Sequence, residues 1–246
     1  MRRVKPLILF ALAIVMAMSA PVMAQQKPLP TREDLRNLEL FRDYFASAVH
    51  RARISRTLTN DERNLTPDCS AVTVGELADF HPYGPVKFTP DEKLESGLWL
   101  EVWNVTVCGE AKRRSVLLVA RDGKLNAMPF LPGRTNVDPI LGRDLLPRTH
   151  VSARLYVGQQ TGTPCASTPQ LFDTKLVMLP RDARVDIEKA PGDVAAYLQE
   201  NVSEVWRENW YLRACGHVAE LKIMFMIKKD GGTTFNITRG EVTPIS

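Results

Sequence analysis

Through TREDLRNLELFRDYFASAVHRARISR, residues 31–56, apolar side chains recur at Leu35, Leu38, Phe41, Phe45, Val49 and Ala52. Steps of three and four align them on one face of an α-helix, and Thr31 ahead of Glu33 and Asp34 is placed to cap it. The polar face mixes both signs of charge, so the expected role is packing on a sheet, with docking to a partner or a membrane surface as the alternative. A second helical stripe runs through DVAAYLQENVSEVWREN at Val194, Tyr197, Leu198, Val202, Val205 and Trp206. Thr89-Pro90-Asp91-Glu92 has capping-box spacing with Pro at the first helical position, which predicts a short helix there.

Elsewhere the period is two. Trp103, Val105 and Val107 alternate with Asn104, Thr106 and Cys108, and Trp210, Leu212 and Ala214 with Tyr211, Arg213 and Cys215. Both runs read as strands whose Trp face is buried. Val151, Ala153, Leu155 and Val157 alternate in the same way and predict a strand opening the second half. The two Trp strands belong to a longer repeated phrase, WNVTVCG at 103–109 and WYLRACG at 210–216, each with a Glu (Glu101, Glu208) two residues before the Trp. Downstream, Asp122-Gly123 and Asp230-Gly231 fall between strand-forming runs, a hairpin signal because the favoured turn needs positive φ at both central residues. Each half therefore reads as a three-stranded meander.

Between the halves, FLPGRTNVDPILGRDLLPRT carries Pro132, Pro139, Pro147, Gly133 and Gly142, a density that predicts a connector. The resulting organisation is a leader over 1–24, a first unit with its amphipathic helix over 25–145, and a second unit over 146–246. The expected fold class is α+β and β-rich: two related antiparallel-sheet units, each with one helix and one internal disulfide.

The leader is read from MRRVKPLILFALAIVMAMSAPVMAQQ, with Arg2, Arg3 and Lys5 before an apolar stretch from Leu7 to Met18 and small residues up to Ala24. This is the plan of a bacterial signal peptide cleaved after Ala24, and the stretch falls short of the roughly 20 residues of a membrane span. Its removal changes the charge balance. The whole chain has 32 basic and 28 acidic residues; the leader holds three of the basic ones, which leaves 29 against 28. A near-neutral mature chain gives no basis for a nucleic-acid or anionic-membrane partner.

In an exported chain an even cysteine count reads as disulfides. Four cysteines permit three pairings, and the repeated phrase selects among them. Cys108 and Cys215 occupy equivalent positions in the two phrases, while Cys69 and Cys165 each follow a Thr-Pro, so the expected bridges are Cys69–Cys108 and Cys165–Cys215. Each closes a loop of about 40 to 50 residues, for which chain entropy gives about 4 kcal/mol.

Candidate chemistry is sparse. His50, His81, His150 and His217 form no metal-ligand spacing such as HxH or HExxH. The chain has no GxSxG, SxxK or CxxC, and no GxxxxGK[ST] or GxGxxG phosphate loop. No catalytic, cofactor or metal residue is assigned, and the residues singled out are the four cysteines. The expectation is an exported bacterial envelope protein, periplasmic or secreted and without a membrane span, that binds a protein or envelope component without catalysis. The alternative is a periplasmic hydrolase with a site in the cleft between the halves, using His150 or His217. A third reading is an accessory subunit docking through the helix at 32–55.

Overall fold

The computed structural model describes residues 31–182 and 192–245; the predicted leader lies outside the described residues. The first half runs α1 (Arg32–Ala46), α2 (Ala48–Leu65), β1 (Val72–Pro82), β2 (Lys87–Phe88), β3 (Leu94–Val107), β4 (Glu110–Arg121) and β5 (Lys124–Pro129). The second runs α3 (Pro139–Thr161), β6 (Gln170–Asp182), α4 (Gly192–Asn201), β7 (Val202–Ala214), β8 (His217–Lys228) and β9 (Thr233–Pro244). Both sheets are antiparallel, in the orders β1-β3-β4-β5, with β2 added beside β3, and β6-β7-β8-β9. The fold is thus α+β and β-rich, and its disulfides are Cys69–Cys108 and Cys165–Cys215, one in each half.

Each bridge joins the turn after a helix to a hairpin turn. Val107 pairs with Glu110 and Ala214 with His217, so Cys-Gly is the whole of each turn. Both residues of each pair have positive φ, +48° and +86° at Cys108-Gly109 and +47° and +73° at Cys215-Gly216. That geometry matches the right-handed twist of the strands it joins.

Each half has two helices where one was expected: Phe41 of α1 packs against Trp99 and Leu198 of α4 against Val202 and Val205, while α2 and α3 carry the longer buried stripes. His50, Ile54, Leu58, Glu62 and Leu65 form the buried stripe of α2, facing a core that includes Trp99, Trp103, Val105, Val116 and Leu118. On α3 the buried stripe is Gly142, Leu145, Thr149, Ala153 and Val157, over Trp210, Leu212, Leu221, Ile223 and Phe225. The Trp faces of β3 and β7 are buried, as their alternation predicts. The last carbonyls of α2, which lack intrahelical partners, are taken up by the second half: Gln170 donates to Asn64 O at 3.1 Å, and the Arg213 guanidinium donates to Leu65 O.

Several elements differ from expectation, each for a physical reason. The helix expected across 31–56 breaks at Ser47, whose extended backbone ends α1 and whose hydroxyl accepts the His50 N–H at 3.2 Å to start α2. Thr31 does cap α1, in a reciprocal box with Asp34. No helix forms at Thr89–Glu92; Thr89 N–H donates to Lys93 O at 2.9 Å and closes a turn between β2 and β3. The strand expected at 151–157 is part of α3, because Ala153 and Val157, four apart, also share a helical face, while Val151 and Leu155 are 66% and 53% exposed. Of the prolines that read as a connector, Pro139 opens this helix and Pro147 lies inside it: the Asp138 carboxylate caps the N–H groups of Ile140 and Leu141, and Pro139 needs no amide partner. The helix expected over 193–209 ends at Asn201, where β7 begins. Of the two Asp-Gly turns, Asp122-Gly123 has positive φ at both residues, whereas only Gly231 does in the other, a longer turn closed by Lys228 N–H donating to Gly232 O at 2.7 Å. Each meander has a fourth strand, β1 or β6, whose register shifts obscure alternation.

Candidate functional site

All four tryptophans of the chain lie in two copies of the pattern Trp-x-Glu-x-Trp, residues 99–103 on β3 and 206–210 on β7. Positions i, i+2 and i+4 of a strand share a face, so each Glu is carried into the core between its two Trp side chains. Glu101 and Glu208 are both fully buried. Burying a carboxylate is expensive unless donors surround it, and the indoles supply them. Trp99 and Trp103 donate to Glu101 at 2.7 and 2.9 Å; Trp206 and Trp210 donate to Glu208 at 3.0 and 2.8 Å.

The remaining acceptor capacity is filled differently. On Glu101 the partner is the first buried residue of α2: His50 Nε2 lies 3.0 Å from one carboxylate oxygen and 3.2 Å from the other. His50 Nδ1 is buried without a hydrogen-bond partner among the described residues. On Glu208 the partners come from the segment between the sheets, residues 130–138. Asn136 N–H and the Thr135 hydroxyl each donate to it at 2.8 Å. Burial pushes the Glu208 carboxyl up from its ordinary range, and these four hydrogen bonds oppose the rise.

That segment is threaded between the halves. Phe130 N–H donates to Ser115 O at 2.8 Å and Gly133 N–H to Arg113 O at 3.0 Å, both on β4. One residue later, Arg134 N–H donates to Thr174 O on β6 at 2.9 Å. Gly133 makes the crossing possible. Its φ is +81°, and a Cβ there would stand 2.2 Å from Thr174 O.

The segment floors a cleft of about 480 Å³ between the two halves, within the usual size range of small-molecule sites. Its first wall is the helix-free face of the first sheet, with Leu100 and Val102 of β3, Arg113 and Ser115 of β4, and Asp79 and His81 of β1. Its second wall includes Trp206 and Ile227. His81 Nε2 lies 3.2 Å from the Asp79 carboxylate, both about half exposed. Burial, and the carboxylate of Asp138, push the phenol of Tyr83 at the same mouth upward.

His150 and His217, the histidines expected to serve a site, do not line this cleft. His150 is on α3, where burial holds its pKa below the usual imidazole range, and His217 Nδ1 lies 2.9 Å from Cys215 O beside the disulfide turn. His81 is the histidine the fold brings there. Among the described residues no group of three or more His, Cys, Asp or Glu could hold a metal ion, and no helix is long and apolar enough to cross a membrane. No family model, curated protein or solved structure matches the chain. The anchor of the cleft floor, Glu208, is marked in the sequence by the doubled Trp-x-Glu-x-Trp, a polar residue amid the largest apolar ones at strand spacing; the residues of the walls carry no such mark.

Proposed function

We propose that this chain is an exported bacterial envelope protein, periplasmic or secreted, that binds a protein or envelope component in the cleft between its halves without transforming it. The cleft itself carries the reading: its walls come from both halves, each half has its own disulfide, and the floor is hydrogen-bonded to both sheets and to Glu208. The disulfides suit an oxidising compartment. The shared strand order, Cys-Gly turn and Trp-x-Glu-x-Trp support one unit duplicated, expected from the sequence as 25–145 and 146–246 and divided in the fold ahead of α3, which begins at Pro139. Expression of the full chain with fractionation and N-terminal sequencing tests export; the expected product starts at Gln25 outside the cytoplasm, and an intact cytosolic chain contradicts it. Thermal shift against purified envelope fractions tests binding. A ligand-induced rise in Tm that Val102→Arg abolishes supports the cleft, and no rise with any fraction contradicts it.

One observation favours hydrolysis as a second reading, namely the Asp79–His81 contact in the cleft with Ser115 in the same wall. His81 pairs with Leu100 and Leu100 with Leu117, two residues along β4 from Ser115, which puts more than two strand spacings, over about 10 Å, between the backbones of the base and the hydroxyl. A nucleophile and its base need about 3 Å. Turnover of ester, amide or glycoside substrates that His81→Ala abolishes without lowering Tm would establish this reading.

A further inference from the structure

We infer that the cleft between the halves takes a small amphiphilic anion, its acidic head gripped by Arg113 and Arg134 and its apolar tail laid along Leu100 and Val102 toward Trp206 and Ile227. The inference rests on the cleft being the ligand site and adds the ligand's chemistry.

Charge decides the head group. The hydrogen bond from Gly133 N–H to Arg113 O makes Arg113 and Arg134 neighbours, and both line the cleft. Among the described residues neither guanidinium has a carboxylate within ion-pair distance, whereas the acid in the wall, Asp79, is engaged by His81. Two cleft-lining guanidiniums with no ion pair among the described residues favour a carboxylate or phosphate, whose planar or tetrahedral oxygens suit bidentate donors.

Register decides the tail. Arg113 and Ser115 share one face of β4, and Leu117 continues it. Ser115 pairs with Val102 and Leu117 with Leu100, which in turn pairs with His81. The wall thus reads, in successive rows, guanidinium, valine, leucine. From the Arg113 row to the Leu100 row is four strand steps, about 13 Å. Trp206 and Ile227 face this strip from the other half.

Calorimetric titration of the full-length exported protein, disulfides intact, with four probes tests the inference: decanoate, decyl phosphate, decanol and decyltrimethylammonium. Decanoate or decyl phosphate is expected to bind at least about tenfold more tightly than the neutral or cationic probe, and the stronger of the two tells a fatty acyl head from a phosphate head. Arg113→Gln and Arg134→Gln are exposed changes expected to keep Tm and each to weaken the anion about tenfold, with added salt weakening the wild type in the same direction. Equal binding of decanol, or Gln variants that bind as the wild type does, would overturn the anion assignment, while loss of decanol binding in Val102→Arg would keep the cleft as the site. Failure of all four probes, with an envelope fraction still raising Tm, would overturn the ligand class and leave the binding reading standing.

Discussion

Glu101 and Glu208 occupy the same place in the two halves, between two indole N–H groups on the strand before a Cys-Gly turn, yet they hold different things. Glu101 fixes a helix to its sheet through His50. Glu208 fixes the floor of the cleft through Thr135 and Asn136. A buried carboxylate that the fold must satisfy is therefore a connection point whose partner is free to differ, and in the second half that partner belongs to the candidate site. The covering helices differ as well. Arg114, cross-strand from Trp103, forms a buried ion pair with Glu62 of α2; Leu221, cross-strand from Trp210, belongs to an apolar cluster that includes Val157 of α3. One architecture accepts an ionic and an apolar solution at the same row.

The largest expected effect breaks the ionic solution on one side only. Arg114→Leu leaves Glu62 buried without its partner and should cost about 3–5 kcal/mol in chemical denaturation. Transplanting the second half's solution whole, as Glu62→Val with Arg114→Leu, should recover most of that loss, and a double variant as unstable as the single one would show that the halves are not interchangeable at this row. Gly133→Ala comes next, at about 2–4 kcal/mol, since its Cβ would meet a backbone carbonyl at positive φ. Glu208→Gln and Glu101→Gln should each cost about 2–3 kcal/mol, because an amide nitrogen then faces donors. Only Glu208→Gln should also weaken ligand binding in the cleft.

The smallest effect is a pH dependence. Burial first, then the neighbouring Glu62 charge, pushes Asp61 up to about 6 from an ordinary 3.8, against the pull of Arg114. A carboxyl raised on folding favours the folded state while protonated, so its contribution is present below about pH 4 and is lost as pH rises through about 6. Asp61→Asn should leave Tm unchanged at pH 4 and raise it by a few degrees at pH 7.

The strand faces and the bridges were legible because alternation and equivalent positions act locally: Trp103 and Trp210 bury as their neighbours predict, and Cys108 and Cys215 begin matching turns. Residues 151–157 misled because four-residue spacing satisfies both periods, and the length of α3 became clear only with the Asp138 cap. The edge strands β1 and β6 were hidden by bulges, and the cleft by distance: the backbones of Arg113 and Arg134 are brought together by Gly133, which the sequence shows merely as part of a proline- and glycine-rich stretch. His81 was no more marked in the sequence than His150 or His217.

Amide hydrogen exchange at Asn136, measured on the wild type, Glu208→Gln and Glu101→Gln, tests most directly whether the second carboxylate anchors the cleft floor. The expected result is protection in the wild type, retained in Glu101→Gln at matched stability and lost by at least tenfold in Glu208→Gln. Equal protection in all three, or equal loss in both variants, would contradict the division of roles between the two carboxylates.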